Sequence, residues 1–394
     1  MKKYDFDEVL QRRNTSSVKW DFFNVNEGDT GEILALSIAD MDLPCAEPIL
    51  EALTNRVDKK IFGYSKPDET FYDSIISWHK RRFGFEIERE QMVNSPGVVP
   101  ALATLVRMLT KEREGVIIQN PVYYPFSSLV VENNRELLVN ELVNNDGYYT
   151  MDYEDLEEKA KDPNTKMFIF CSPHNPVGRV WTREELQRVI DICIENDVYL
   201  VSDEIHCDLV RENVKHTPIG SLTNHEKAIT CLAASKSFNL AGLQMSTILL
   251  KTPELRKQWD YEHFSKSCMF GSGVFGIEGT KAAYNYGEDW LNQVNEYIDG
   301  NLAFVDSFLK EHLPEAIYII PEGTYFTWID LRAYGFNAKE LEDMMVNKAK
   351  LILDEGYIFG KQGEGFERLN VACSRTILEE CLIRMKNVIL SSMK

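Results

Sequence analysis

Residues 167–203 read MFIFCSPHNPVGRVWTREELQRVIDICIENDVYLVSD, and this stretch decides the fold. It begins with an apolar run at 167–171 and ends with a second apolar run at 198–201. Between them, residues 182–196 open with the T-x-x-E spacing of a helix capping box, and their apolar side chains recur on one helical face. The stretch therefore predicts a strand, a helix and a second strand.

Similar apolar runs lie on either side of this unit, at 116–119 and at 229–232. None of them alternates between apolar and polar residues, as a strand with one face in water would. Continuous apolar strands separated by helices indicate a parallel sheet that is covered by helices on both faces. The chain is therefore predicted to be an α/β protein.

The sequence changes character toward its C-terminal end. Residues 290–312 have the pattern of one long helix, and 317–320 and 325–331 flank the turn sequence PEGT, which indicates a β-hairpin. Further helices are expected at 338–349 and 376–391. Helices on one face of a small antiparallel sheet would form a separate α+β domain.

The length of the chain, 394 residues, also suggests more than one domain. We predict a large domain over residues 46–288. The smaller domain is predicted to combine an N-terminal arm, residues 1–45, with residues 289–394.

The composition excludes several classes of protein. The formal net charge is −19, so binding to nucleic acid or to an anionic membrane is not expected, because phosphates would be repelled. The eight cysteines contain no C-x-x-C pair, so neither a zinc ribbon nor a redox dithiol is predicted. There is no apolar stretch of the kind that forms a secretion signal or crosses a bilayer, and we expect a cytoplasmic protein.

Three polar residues follow successive apolar runs. Asn175 lies in PHNPVG, Asp203 in SDEIH, and Lys236 in AASKSFNLAG. The carboxyl ends of parallel strands meet at one edge of a sheet, where α/β proteins bind their ligands. We therefore expect these three side chains to be neighbours in space.

This combination of side chains suits pyridoxal 5′-phosphate (PLP), a coenzyme that needs a lysine for its aldehyde and an acidic partner for its pyridine nitrogen. Lys236 would supply the amine and Asp203 the carboxylate. Asn175 and His206 could donate hydrogen bonds to the phenolic oxygen. Other readings are a solvated surface lysine, a helix N-cap aspartate, and a metal site that combines His206 with a neighbour in Cys207-Asp208.

The remaining parts of the coenzyme and the substrate also have candidate partners. The stretch SPGVVP at 95–100 precedes a helical pattern, and its Gly97, together with the Ser235 hydroxyl, could hold the phosphate. Tyr123 or Tyr124 could stack on the ring. A substrate carboxylate needs a bidentate cation, for which Arg375 is predicted to point inward, although it could instead be a surface arginine.

The chain resembles the fold-type I PLP enzymes of the aminotransferase class I/II superfamily, over nearly its whole length. Several motifs narrow the resemblance to the cystathionine β-lyase, or C–S lyase, branch. These motifs are RRNTSSVKWD at 12–21, ADMD at 39–42, SPGVVP at 95–100, PHNPVGRVW at 173–181 and SDEIH at 202–206.

The resemblance implies a large domain with a mostly parallel seven-stranded sheet and assigns roles to single residues. Lys236 would be joined to the coenzyme as a Schiff base, Asp203 would pair with the pyridine nitrogen and Asn175 with the phenolic oxygen. The remaining implied roles are ring stacking by Tyr123, phosphate binding by Gly97, Val98 and Ser235, and substrate carboxylate binding by Arg375. Histidine at position 206 fits the lyase branch, whereas aminotransferases commonly have tyrosine there.

Tyr64 matches the tyrosine that in this family reaches the phosphate of the neighbouring subunit, which implies a homodimer with shared active sites. The implied reaction is α,β-elimination of L-cystathionine, or of L-cysteine-type substrates, to a thiol, pyruvate and ammonia, as in methionine biosynthesis. Lys236 and Tyr64 are the expected catalytic residues. Two alternatives stay open: an aminotransferase on the same fold, and a regulatory protein that retains PLP.

Overall fold

The computed structural model describes residues 3–23, 33–269 and 272–393. The helices are α1 (Val18–Asp21), α2 (Glu47–Val57), α3 (Glu69–Phe83), α4 (Val98–Leu109), α5 (Pro125–Val131), α6 (Tyr153–Lys161), α7 (Arg183–Glu195), α8 (Pro253–Trp259), α9 (Val274–Tyr286), α10 (Glu288–His312), α11 (Ala338–Asp343) and α12 (Arg375–Ser392). The strands are β1 (Leu34–Ala35), β2 (Met92–Ser95), β3 (Gly115–Asn120), β4 (Glu136–Glu141), β5 (Val143–Asn145), β6 (Tyr148–Thr150), β7 (Thr165–Cys171), β8 (Tyr199–Asp203), β9 (Ala228–Leu232), β10 (Ser246–Leu249), β11 (Ile329–Asp330), β12 (Leu351–Ile352), β13 (Asp354–Glu355) and β14 (Phe366–Arg368).

A seven-stranded sheet with the order β2-β10-β9-β8-β7-β3-β4 forms the centre of the molecule. The neighbours from β9 to β4 are parallel, and β10 is antiparallel to both β2 and β9. The strand–helix–strand unit at 167–203 is present as predicted. Its helix α7 begins with the Thr182–Glu185 capping box, in which each side chain accepts a hydrogen bond from the other residue's backbone. The predicted α/β fold is confirmed.

Both faces of the central strands β3, β7, β8 and β9 are buried, which explains why these strands contain continuous apolar runs. In β3, Ile117 belongs to one core cluster while Val116 and Ile118 belong to another. The same alternation holds for Phe168 and Ile169 in β7. One cluster lies under α7 and the other under α4, so successive side chains of a strand enter different cores.

The C-terminal part of the chain has the predicted helices but not the predicted hairpin. α10 and α12 lie where long helices were expected, and a π-helical turn at Met344–Lys348 continues α11. Residues 317–320 and 325–331, however, meet only in a single bridge between Ile317 and Asp330. The backbone of Phe326 pairs instead with Asn370, a partner distant in sequence, and not with a residue of 317–320.

The division into a large domain at 46–288 and a small domain at 1–45 and 289–394 stays a prediction. The seven-stranded sheet lies within the first range, and the three-stranded sheet β11-β14-β13 lies within the second. One core cluster extends across the proposed boundary, from Trp78 on α3 to Leu378 on α12. Within the described ranges, no helix combines the length and apolar character needed to cross a bilayer.

A half-buried and a buried carboxyl group face each other in the three-stranded sheet. Glu355 on β13 lies directly opposite Glu367 on β14. Both Glu367 carboxylate oxygens are buried without a hydrogen-bond partner among the described residues. Burial raises the pKa of Glu355 to about 7 and raises the pKa of Glu367 well above its ordinary value. The charge of Glu355 adds to the shift of Glu367, and the charges of Glu342 and Asp354 add to both shifts, because nearby like charges disfavour ionisation.

We expect this pair to make the protein less stable as the pH rises. An unfolded glutamate releases its proton near pH 4.5, whereas folded Glu355 holds it to about pH 7. The folded state therefore binds more protons in this window, and the stabilisation present below pH 4.5 is lost as the pH passes 7. Glu367→Gln should raise the thermal midpoint by a few degrees at pH 8.5 and flatten its pH dependence. Glu364→Gln, at an exposed glutamate nearby, is the control, and equal effects of both changes would contradict the interpretation.

Candidate active site

The side chains predicted to be neighbours lie together at the carboxyl edge of the seven-stranded sheet. Asn175 follows β7, Asp203 ends β8, and Lys236 follows β9. They enclose a cavity of about 200 Å³. Its lining is formed by Ala39, Pro96, Gly97, Val98, Val99, Pro100, Tyr123, Cys171, Asn175, Asp203, Ile205, His206, Ser235, Lys236, Ala241, Gln244 and Met245.

Lys236 is a desolvated amine held at the wall of this cavity. Its Nζ donates a hydrogen bond of 2.7 Å to the Ala39 carbonyl oxygen. Burial lowers the pKa of Lys236 to about 8; the charge of Asp40 opposes this shift and that of Arg368 adds to it. A sizeable neutral fraction therefore exists near neutral pH, and a neutral amine is the form that attacks an aldehyde or accepts a proton.

Asp203 is a buried carboxyl group that needs a cationic partner. Its Oδ1 accepts a hydrogen bond of 3.1 Å from the Ile205 amide. Burial raises the pKa of Asp203 to about 7, and the nearby Lys236 charge partly offsets this. A protonated ring nitrogen in the cavity would stabilise the carboxylate form and would in turn be kept protonated by it.

The Asn175 amide is oriented by a buried arginine. Its Oδ1 accepts a hydrogen bond of 2.7 Å from Arg368 Nη1. Because the oxygen is occupied by this bond, the amide nitrogen is left to donate into the cavity. This is the orientation that a phenolic oxygen requires.

His206 offers a second polar group to the cavity. Burial and the charges of Lys236 and Arg368 lower its pKa well below the usual value, so the ring is neutral. The rings of Tyr325 and Phe326 meet it edge-on, each with centroids 5.8 Å apart. Its Nδ1 is buried and has no hydrogen-bond partner among the described residues. A bound group with a donor or acceptor would satisfy this atom.

One part of the cavity lining suits an anion. Gly97, Val98 and Val99 line the cavity at the first turn of α4, where backbone N–H groups have no partner within the helix. Ser235 and Tyr123 also line the cavity. Together, an anion-binding helix start, a reactive amine and a buried carboxyl group fit the phosphate, aldehyde and pyridine nitrogen of PLP.

Arg375 is not among the residues that line the cavity, and its role in binding the substrate carboxylate stays a prediction. It is the first residue of α12, and its Nε donates a hydrogen bond of 2.8 Å to Asn301 Oδ1 on α10. Its guanidinium carbon lies 4.6 Å from the centroid of the Phe304 ring, also on α10. The side chain follows the packing of α12 on α10, which the sequence before it does not reveal.

Arg368 is the functional candidate that the sequence analysis missed. It lies on β14, is 2% exposed, and bonds Asn175. Its charge lowers the pKa of both Lys236 and His206. The available signal was slight: Arg368 directly precedes the mostly apolar stretch LNVAC, and an arginine buried beside such a stretch requires a specific partner.

The N-terminal motifs hold the loop that carries Ala39. Arg12 Nη2 bonds Asp40 Oδ2 at 2.8 Å, and Arg12 Nη1 pairs with Asp42. The Lys19 side chain, which is fully buried, donates to Asp42 Oδ2 at 2.6 Å. The motifs at 12–21 and 39–42 therefore form one ion-pair cluster behind the carbonyl that binds Lys236.

Tyr64 does not line the cavity of its own chain. Its side chain is fully exposed, in the segment between α2 and α3. Its predicted role depends on a second chain and stays a prediction.

This sheet, with a lysine, an aspartate and an asparagine at its carboxyl edge, defines a PLP-dependent enzyme of the aminotransferase fold. The sequence profile of the family described as aminotransferase class I and II matches residues 31–384, and the chain belongs to that family. It is 40% identical to cystathionine beta-lyase PatB of Bacillus subtilis, over 97% of this chain and 99% of that protein. The structure of cystalysin from Treponema denticola, which contains a pyridoxal 5′-phosphate cofactor, matches with a TM-score of 0.95 and 38% identity over the whole of both chains. The PLP-bound C–S lyase from Staphylococcus hominis matches with a TM-score of 0.91 and 35% identity over 98% of each chain.

Proposed function

We propose that this protein is a PLP-dependent carbon–sulfur β-lyase that converts L-cystathionine, or related L-cysteine derivatives, into a thiol, pyruvate and ammonia. The observation that carries the proposal is the desolvated Lys236 amine beside Asp203 and Asn175. The choice of β-elimination rests on the similarity to the cystathionine β-lyase and C–S lyases described above. Water consumed in the last step supplies the oxygen of pyruvate.

Bound PLP would supply an electron sink for the electron pair left when the substrate loses its α-proton. Asp203 would keep the ring nitrogen protonated, and Asn175 would hold the phenolic oxygen. The Lys236 amine would accept the α-proton of the substrate. Lys236 or Tyr64 would give a proton to the departing sulfur.

We propose that Arg368, rather than Arg375, binds the substrate α-carboxylate. The side chain is buried and bonds Asn175, which lines the cavity, and its positive charge lowers the pKa of Lys236. Arginine presents its N–H groups as a planar fork that matches a carboxylate. The carboxylate would therefore bind on the Asn175 side of the coenzyme.

We also propose a cytoplasmic homodimer in which Tyr64 reaches the phosphate site of the partner subunit. Support comes from an exposed apolar surface around this residue, formed by Leu50, Val57, Ile61, Phe62 and Tyr64. Mixing Lys236→Ala and Tyr64→Phe chains should restore activity in mixed dimers, whereas a fully active monomer in sedimentation would contradict the proposal. The reaction suits a place in methionine biosynthesis, because cystathionine would yield homocysteine.

The proposed reaction can be tested by mixing the purified holoenzyme with L-cystathionine and assaying pyruvate and free thiol together. We expect the two products in equal amounts. Release of the keto acid of the intact substrate, with conversion of the coenzyme to pyridoxamine phosphate, would indicate an aminotransferase. Bound PLP without turnover of any amino acid would favour the regulatory alternative.

A further inference from the structure

Arg368 is held on four sides within the described residues. Its Nε and Nη2 both donate to Asp354 Oδ2, the first at 3.2 Å, and its Nη1 donates to Asn175. The guanidinium carbon lies 3.9 Å from the centroid of the Phe326 ring and 4.7 Å from that of the Phe359 ring. The two rings therefore fix the plane of the Arg368 guanidinium, and the two hydrogen-bonding partners fix its rotation within that plane.

We propose that Asp354 is a positioning residue that sets Arg368 for the substrate carboxylate; the proposal rests on the carboxylate-binding role proposed above. Asp354 and Arg368 lie directly opposite each other on β13 and β14. The sheet register, rather than a flexible loop, therefore holds the pair together. Of the five N–H groups of an arginine, the three recorded hydrogen bonds occupy three and leave one on each terminal nitrogen. These two N–H groups are the bidentate pair that a carboxylate accepts.

The charge of Asp354 also has a role before substrate binds. A guanidinium with 2% exposure is costly to bury without a counter-charge. Asp354 supplies that charge on the Nε side of the guanidinium, which leaves one N–H on each terminal nitrogen for the proposed carboxylate. The neutral isostere asparagine offers a weaker acceptor and no charge, so Arg368 would lose its fixed rotation.

The chain offers a matched control pair in the same three-stranded sheet. Asp330, which ends β11, accepts bonds from Arg332 Nε and Nη2, and this guanidinium lies 4.9 Å from the centroid of the Phe366 ring. Arg332 has a 56% exposed side chain, and its recorded side-chain hydrogen bonds go to Asp330 and not to a residue that lines the cavity. Asp330→Asn therefore makes the same chemical change at an aspartate–arginine pair outside the site.

The test compares binding of 2-aminoisobutyrate and its carboxamide to the holoenzyme by calorimetry. Neither ligand has an α-hydrogen, so affinity is measured without β-elimination. For Asp354→Asn we expect the Kd of the acid to rise by about tenfold while that of the amide changes by less than about twofold, because only the acid needs the oriented fork. Asp330→Asn should change neither Kd.

The ratio of the Kd of the acid to the Kd of the amide is measured within each protein, so a reduced folded fraction does not alter this ratio. If Asp354→Asn weakens the binding of acid and amide equally, Asp354 has a merely structural role and the proposal is overturned. Unchanged binding of the acid by this variant would also overturn it. A wild-type protein that binds the acid no better than the amide would overturn it together with the role of Arg368. Failure of the lyase assay alone would overturn the proposed reaction and leave this result standing.

Discussion

Replacing Lys236 with alanine should lower pyruvate formation from L-cystathionine by at least about a thousandfold, because one amine both holds the coenzyme and moves the α-proton. The residue is buried and bonded to Ala39, and no second lysine lines the described cavity. Covalent attachment can be measured separately from turnover. Borohydride reduction of the wild-type holoenzyme should add the mass of the reduced coenzyme to the peptide that contains Lys236, and the variant should gain no such mass.

Lys251 provides a stringent control for this experiment. Burial lowers the pKa of Lys251 to about 8, as for Lys236, but its Nζ donates to the Thr223 carbonyl and it does not line the cavity. Lys251→Ala should therefore keep both turnover and covalent labelling. Label on the Lys251 peptide, or full turnover by Lys236→Ala, would contradict the assignment and would show that a lowered pKa was mistaken for a site.

Lys236 and Lys251 have similarly lowered pKa values, but only Lys236 lines the cavity. Much of the site could nevertheless be predicted from local sequence. Asn175, Asp203 and Lys236 each follow an apolar run, and parallel strands place their carboxyl ends at one edge. The positions of these side chains thus depend on strand boundaries, which the apolar runs and the T-x-x-E capping box mark clearly. A pKa shift alone would not have separated Lys236 from Lys251.

Features that depend on distant contacts could not be predicted in this way. Arg375 follows an apolar run just as Asp203 does, yet Asn301 on α10 determines where its side chain lies. The prediction of a hairpin at 317–331 was wrong for the same reason, since Phe326 pairs with the distant Asn370 and not with residues 317–320. The motifs at 12–21 and 39–42 indicated a resemblance, but only the fold shows that they support the carbonyl that binds Lys236.

The proposed role of Arg368 in binding the substrate carboxylate leads to the second large effect. Arg368→Gln should lower kcat/KM for L-cystathionine by about a hundredfold or more, because glutamine keeps a polar tip but loses the charge and the bidentate fork. Most of the loss should fall on KM, since the carboxylate is bound in both the ground state and the transition state. Steady-state kinetics of the variant measures both parameters. The variant leaves Asp354 without its counter-charge, so its thermal midpoint should be recorded as well.

Arg375→Gln is the matched control, because it makes the same change seven residues further along the chain. Its side chain bonds Asn301 and stacks on Phe304, so we expect both kinetic parameters to stay within about twofold of wild type. A larger loss for Arg375→Gln than for Arg368→Gln would restore the assignment made from sequence. Kinetic loss confined to Arg368→Gln would place substrate recognition on β14, beside Asp354 and Asn175, and would explain why the chain buries an arginine there.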